Sequence, residues 1–140
     1  MTAYDPNNIF AKILRGEIPN HTVYEDGRTL AFLDIMPIVD GHCLVIPKKP
    51  ARNIFDVESG ELAYLAQVAQ KVSIAACTAF GADGHVLRLH SEASGGQEVP
   101  HIHFHILPMK TAVPLRPRVM GDHGVLAQHA QRIRDLMPVA

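Results

Sequence analysis

Hydrophobic residues recur along this chain with two periods, and the switches between them mark out its elements. Ile9, Phe10, Ile13 and Leu14 fall on one face of a short helix. Asp5-Pro6 offers that helix an N-cap and a first helical residue, and Gly16 a stop. Thr22–Glu25 then reads as a strand, Asp26-Gly27 as a tight hairpin turn and Thr29–Leu33 as the returning strand. Asp34-Ile35-Met36-Pro37 ends it, because Pro37 cannot donate to a ladder. Gly41–Pro47 is a third strand, again closed by proline. Residues 59–80 return to the helical period, with Leu62, Leu65, Val68, Ala69, Val72, Ala75 and Ala76 in one stripe. Ser59 or Asp56 is placed to cap this helix and Gly81 to stop it. A fourth strand covers about 85–90, and Ser94-Gly95-Gly96-Gln97 leads into a fifth segment. Pro108, Pro114 and Pro117 make the following stretch irregular. Residues 123–137 predict a C-terminal helix with Val125, Leu126, Ile133 and Leu136 inward.

The fifth segment reads His101-Ile102-His103-Phe104-His105-Ile106-Leu107-Pro108. In a strand, successive side chains point to opposite faces. His101, His103 and His105 would then share one face, and Ile102, Phe104 and Ile106 the other. A helix would scatter the rings by about 200° at each step of two. The pattern predicts a strand with an apolar face for the core and an imidazole face for chemistry. Short turns between most strands, with helices inserted rather than alternating, predict an α+β fold around an antiparallel five-stranded meander.

Composition narrows the class. A chain of 140 residues, 47% apolar, fits a single domain over 1–140 with a real core. Thirteen basic and 14 acidic residues give a net charge of −1. That balance argues against a nucleic-acid or anionic-membrane surface. No apolar run approaches the roughly 20 residues of a membrane span. The start, Met-Thr-Ala-Tyr-Asp-Pro-Asn-Asn, lacks the pattern of a secretory signal. Cys43 and Cys77 lie in apolar stretches and read as small core residues. A cytoplasmic location is the expectation.

Nine histidines in 140 residues make an alternating triplet a coincidence of ~0.04 over the whole chain, so its neighbourhood matters. His103, the central ring, is the candidate nucleophile. A neutral imidazole can attack phosphorus if one nitrogen holds its proton on an acceptor and the other aims its lone pair at the substrate. His101 and His105 flank it and could contact phosphate oxygens or assist proton transfer. Gly95, Gly96 and Gln97 suit an anion, since glycines let backbone N–H groups approach a phosphate. The triplet alone is also compatible with structural histidines on an edge strand, or with imidazoles holding Zn²⁺.

Around these residues the sequence closely resembles the histidine-triad (HIT) family of nucleotide hydrolases and transferases. The resemblance is carried by Ile9-Phe10-Ala11-Lys12-Ile13, Gly16-Glu17-Ile18-Pro19, Ala31-Phe32-Leu33-Asp34-Ile35, Gly41-His42-Cys43-Leu44-Val45-Ile46-Pro47-Lys48-Lys49 and Gly96-Gln97-Glu98-Val99-Pro100-His101, followed by the alternating histidines. It covers about residues 9–108, leaving 109–140 as an irregular stretch plus the last helix, and is most similar to the bacterial Hint-like branch.

The resemblance implies a HIT-like fold and a mechanism. His103 would attack the α-phosphate of a nucleoside phosphoramidate or related mononucleotidyl compound. The covalent nucleotidyl-histidine would then be hydrolysed to a nucleoside monophosphate, by expectation AMP. The carbonyl of His101 would orient His103, His105 would contact the phosphate or bridging atom, and His42 would support the triad. Asp34 would bind the ribose hydroxyls, while Ile9, Phe10, Ile13, Phe32 and Ile35 would wall a purine pocket. No cofactor is implied, and a homodimer paired through the long helix and adjacent strand is expected. Five positions depart from the family. His90 stands where Asn or Gln is usual beside the sugar or phosphate. Pro50 replaces a histidine. Asn8 and Ala11 stand where zinc-carrying relatives have cysteines, so no metal is predicted. Glu98 stands near the leaving group where some relatives carry Ser or Thr. A nucleotide-binding regulator with little catalysis, or a histidine-ligated metalloprotein, are the other classes the residues allow.

Overall fold

Every residue of two strands is buried, which puts those strands at the middle of a covered sheet. A computed structural model describes residues 3–138; Met1 and Thr2 of the polar start, with Val139 and Ala140, lie outside the described residues. The elements are α1 (Ile9–Leu14), β1 (Thr22–Glu25), β2 (Thr29–Leu33), β3 (Cys43–Pro47), α2 (Ser59–Phe80), β4 (Gly84–Leu89), β5 (Phe104–Met109) and α3 (His123–Arg134). Side chains alternate between two clusters. Ala31, Leu33, Cys43 and Val45 join Phe104 and Ile106 beneath α2 and α3. Leu30, Phe32, Leu44 and Ile46 join Phe10 and Ile13 of α1 on the opposite side. Each fully buried aliphatic side chain contributes about 1.5–3 kcal/mol, so the two faces together anchor the sheet. Burial also pushes the Cys43 thiol up, in keeping with a core role. Cys77 is only half-buried, at the edge of the helix layer. No helix among the described residues is long and apolar enough to cross a membrane.

The five antiparallel strands and three helices match the predicted α+β class, but the order is β1-β2-β3-β5-β4 rather than a simple meander. The α2 crossover carries the chain past the centre. β4, mostly exposed, takes the edge, and β5, mostly buried, returns between it and β3.

Several boundaries move for local reasons. The cap of α1 is Asn8, whose Oδ1 accepts the Ala11 N–H at 2.9 Å. Asp5 instead closes the preceding turn, accepting the Asn7 N–H at 2.9 Å. Neither Asp56 nor Ser59 caps α2. Asp56 accepts the N–H groups of Arg52 and Asn53 in its own turn, Ser59 is already helical, and Glu58 holds the cap position while its carboxylate pairs with Lys49 instead of capping the helix. Gly16 and Gly81 do stand in left-handed conformations at the helix ends. In α3 the buried stripe is Leu126, Ala130 and Ile133, at i, i+4 and i+7. Val125 and Leu136 lie off that stripe and are exposed. The histidine strand starts at Phe104, not His101. Pro47 has no N–H to extend the ladder, and its carbonyl accepts from the His101 ring at 2.8 Å.

Gly41 sets the turn before His42. Its φ is +84°, and an added Cβ would lie 2.7 Å from the Phe80 ring and 3.1 Å from Pro108. Phe80 has little room to yield, because His129 and Arg132 pack on its ring. Gly41→Ala is therefore expected to cost about 2 kcal/mol or more, read as a lower urea midpoint.

Candidate active site

The pocket-facing side of the sheet is built by register. Leu44 of β3 and Arg88 of β4 both pair with His105 of β5. Side chains at paired positions share a face, so Arg88 stands beside His105. Above them lies a cleft of about 310 Å³. Its lining includes Ile9, Phe10, Ile13, Phe32, Asp34, Ile35, His42, His90, Gly96, Glu98, His103 and His105. Ile9 and Ile35 are exposed apolar side chains, which gives the cleft a greasy wall open to solvent. Three of the residues singled out from sequence, Gly95, Gln97 and His101, are not in the lining. Gln97 turns its amide into the loop: Nε2 donates to the carbonyls of Arg52 and Val99, and Oε1 accepts from Glu92 N–H and Asn53. The His101 ring is wholly buried behind the cleft.

The four imidazoles form a tautomer-defined chain. His103 Nδ1 lies 2.7 Å from the His101 carbonyl. A carbonyl only accepts, so Nδ1 carries the proton and Nε2 keeps its lone pair. The same logic applies to His101, whose Nε2 donates to Pro47 O and whose Nδ1 accepts from the Tyr4 hydroxyl at 2.6 Å. His42 Nδ1 accepts the Ile38 N–H at 3.3 Å. Its Nε2 therefore carries the proton and donates to His105 Nδ1 at 3.0 Å. That leaves His105 with Nε2–H as a free donor. Phe10 meets the His103 ring edge-to-face at 4.9 Å, and the centroids of His103 and His105 are 4.8 Å apart.

Burial keeps these rings neutral. Desolvation lowers His103 to about 4 despite the opposing bond to the His101 carbonyl. It does the same to His42, against the attraction of Asp34, and to His105, where the neighbouring His42 adds to the effect. His90, just past β4, gives Nδ1 to the Gly95 carbonyl at 2.7 Å. Neutral His90 thus offers the cleft an acceptor, and only its charged form can replace the expected amide donor. Gly96, at φ +91°, leaves room for this ring: a Cβ there would lie 3.0 Å from His90 Nδ1.

Asp34, His42 and His105 bring ligand atoms within 4.8 Å of one another and could by distance alone hold a cation. The tautomers oppose it. His42 would have to ligate through Nε2 with its proton moved to Nδ1, where it would face the Ile38 N–H.

Sequence reasoning missed Arg88, Arg118 and Tyr4. Arg88 becomes visible once β4 is registered on β5. Arg118 comes from the irregular tail and lies 3.1 Å from Asp34 Oδ2 and 3.4 Å from Glu98 Oε2. Tyr4 carries no local signal, since its partner is 97 residues away.

Comparison with known proteins agrees with this geometry. An uncharacterised HIT-like protein of Methanocaldococcus jannaschii is 42% identical over 100 residues, 71% of this chain and 77% of the relative. The crystal structure of a HIT-like protein of Bartonella henselae, described as involved in cell-cycle regulation and holding an unknown ligand, superimposes with a TM-score of 0.93 at 42% identity, covering 97% of this chain and all of the other. A hypothetical histidine triad nucleotide-binding protein of Sulfolobus tokodaii gives 0.86 at 33% identity, over 91% and 89% of the two chains. The model of the HIT domain matches residues 15–112, well over half of the sequence, and the chain belongs to the HIT domain family.

Proposed function

We propose that this protein hydrolyses nucleoside phosphoramidates, or related mononucleotidyl compounds, through a nucleotidyl-histidine at His103. The observation that carries the reading is the bond from His103 Nδ1 to the His101 carbonyl, which leaves the Nε2 lone pair for attack on phosphorus. As that nitrogen bonds to the α-phosphorus, the P–N bond breaks and the amine departs with a proton drawn from solvent at the open cleft. Water then adds to phosphorus, releases the nucleoside monophosphate and restores His103. The Nε2–H of His105 faces the phosphate or bridging atom. Arg88, which has no ion-pair partner among the described residues, supplies positive charge beside it. The apolar wall of Ile9, Phe10, Ile13, Phe32 and Ile35 accepts the base, Asp34 the ribose, and AMP is the expected product. The Sulfolobus relative's description as nucleotide-binding supports a nucleotide in this cleft.

His103→Ala is expected to lower the rate of AMP release from adenosine 5′-phosphoramidate by at least about a thousandfold, to near background. A trapped adenylylated intermediate should form on the wild type and not on the variant. Undiminished turnover by a folded variant sinks the assignment, and a wild type that binds AMP without ever forming the adduct is a binder, not an enzyme.

The pH dependence follows from the lowered histidines. With His103 titrating at about 4, the acid limb of kcat/KM should lie well below pH 6.5. Stability carries the same sign. The unfolded chain binds protons near pH 6.5 that folded His42, His103 and His105 refuse until about 4. Their contribution is therefore complete above pH 6.5 and lost as pH falls from there towards 4. A urea midpoint unchanged between pH 7 and 5 would contradict this.

A homodimer paired through α2 and the outer edge of β4 fits the same molecule. β4 ends the sheet, its far side unpaired among the described residues. Ile74 on α2 and Leu87 on β4 are 63% and 44% exposed beside it. The buried Ser73 hydroxyl nearby lacks a partner among the described residues. Ile74→Glu together with Leu87→Glu should convert a dimer to monomers in sedimentation, and an unaltered mass for the doubly substituted chain would rule this face out.

A further inference from the structure

Between β5 and α3 the chain runs without regular structure, yet it is tied at two points to the loop that carries Asp34. The Arg116 N–H donates to the Ile38 carbonyl, and the Gly121 N–H to the Ile35 carbonyl, both at 2.7 Å. The Arg116 guanidinium adds an ion pair to Asp40 at 2.9 Å. At Gly121 the approach is close: an added Cβ would lie 3.3 Å from Pro37. Arg118 sits midway between the two ties and reaches back into the cleft.

Asp34 is 4% exposed. A carboxylate so buried needs hydrogen bonds and a counter-charge. Burial leaves the adjacent His42 neutral, so the cation that meets Asp34 is Arg118, through Nη1 on Oδ2 at 3.1 Å. The other oxygen, Oδ1, accepts the Met36 N–H at 2.9 Å. Each carboxylate oxygen has room for two donors. His42 Nε2 stands 3.5 Å from Oδ2 but gives its proton to His105 Nδ1, so one donor on each oxygen holds the group at a fixed angle and leaves a second site on each.

We propose that Arg118 is a specificity-determining residue that clamps Asp34, so that its open acceptor sites take the two vicinal hydroxyls of a ribose and the cleft selects ribonucleotides over deoxyribonucleotides. This rests on the reading of the cleft as a nucleotide site. Two features make Arg118 a clamp and not a plug. It meets Asp34 through a single nitrogen, while Nη2 is drawn towards Glu98 Oε2 at 3.4 Å, so the carboxylate is not covered by a bidentate fork. Its backbone is fixed on both sides, so admitting a ligand does not require the segment to leave.

The test compares wild type, Arg118→Ala and Arg118→Lys on adenosine 5′-phosphoramidate and its 2′-deoxy and 3′-deoxy analogues. Calorimetric binding of AMP and 2′-deoxy-AMP runs alongside. The wild type should favour the ribose by about tenfold or more per hydroxyl, the scale of one hydrogen bond to a charged group. In Arg118→Ala, KM for the ribose substrate should rise about tenfold while kcat falls less than about threefold, and the ribose preference should collapse towards one. Arg118→Lys should recover part of the preference, since it restores charge without the planar fork. An unchanged ribose preference in Arg118→Ala, or a lower KM, overturns the clamp. A wild type that neither turns over the phosphoramidate nor binds AMP overturns the nucleotide reading, and this inference with it. Turnover with undisturbed discrimination overturns the clamp alone.

Discussion

Buried imidazoles must be neutral, and every nitrogen on them needs a partner or a purpose; much of this molecule is arranged around that constraint. Six of the eight ring nitrogens on His42, His101, His103 and His105 are held by the protein: by Ile38 N–H, Tyr4, the carbonyls of Pro47 and His101, and the two ends of the His42–His105 bond. The remaining two, Nε2 of His103 and Nε2 of His105, find no partner among the described residues. One is a lone pair and the other an N–H, the two functions that attack and stabilisation at a phosphate require. Satisfying the core and assembling the chemistry are the same act here.

The sheet makes that possible by keeping its two faces distinct. On one face Phe104 and Ile106 sink into the cluster beneath α2 and α3. That burial fixes the pleat of β5, and the pleat then obliges His105 to point the other way. β3 holds the register from one side and β4 from the other. A slip of one residue would turn the ring into the aliphatic core. The apolar positions are therefore as decisive for the imidazoles as the imidazoles are for the chemistry.

Period-two and helical patterns reveal the strands and helices in the sequence because they record which face is buried. They do not reveal where an element starts when a side chain and the backbone compete for the same donor. Asp5 and Asp56 both look like helix caps, and both close tighter turns of their own. His101 looks like a member of the strand but precedes it, since Pro47 cannot continue the ladder. Of the site, the histidines and Asp34 are legible through alternation and family motifs. Gln97 resembles a ligand contact but knits the loop together. Tyr4 and Arg118 are invisible because their partners lie 97 and 84 residues away, a distance no local pattern encodes.

Charge is distributed so that the imidazoles of the cleft are neutral while Asp34 and the arginines around them are not. Arg118 spends its charge on Asp34 and Glu98, while Arg88, across the ladder from His105, is unpaired among the described residues. An anion near Arg88 acts on His105 in the opposite direction to burial, because a nearby negative charge favours the protonated ring. Burial holds His105 at about 4 in the open cleft. Under the proposed chemistry, a bound phosphate would draw that value upward. Because Nδ1 of His105 already accepts the His42 N–H, what the phosphate strengthens is the Nε2–H as a donor, aimed where the α-phosphate and the departing amine would lie. The same desolvation that keeps His103 a nucleophile thus leaves its neighbour a neutral donor whose strength rises with occupancy.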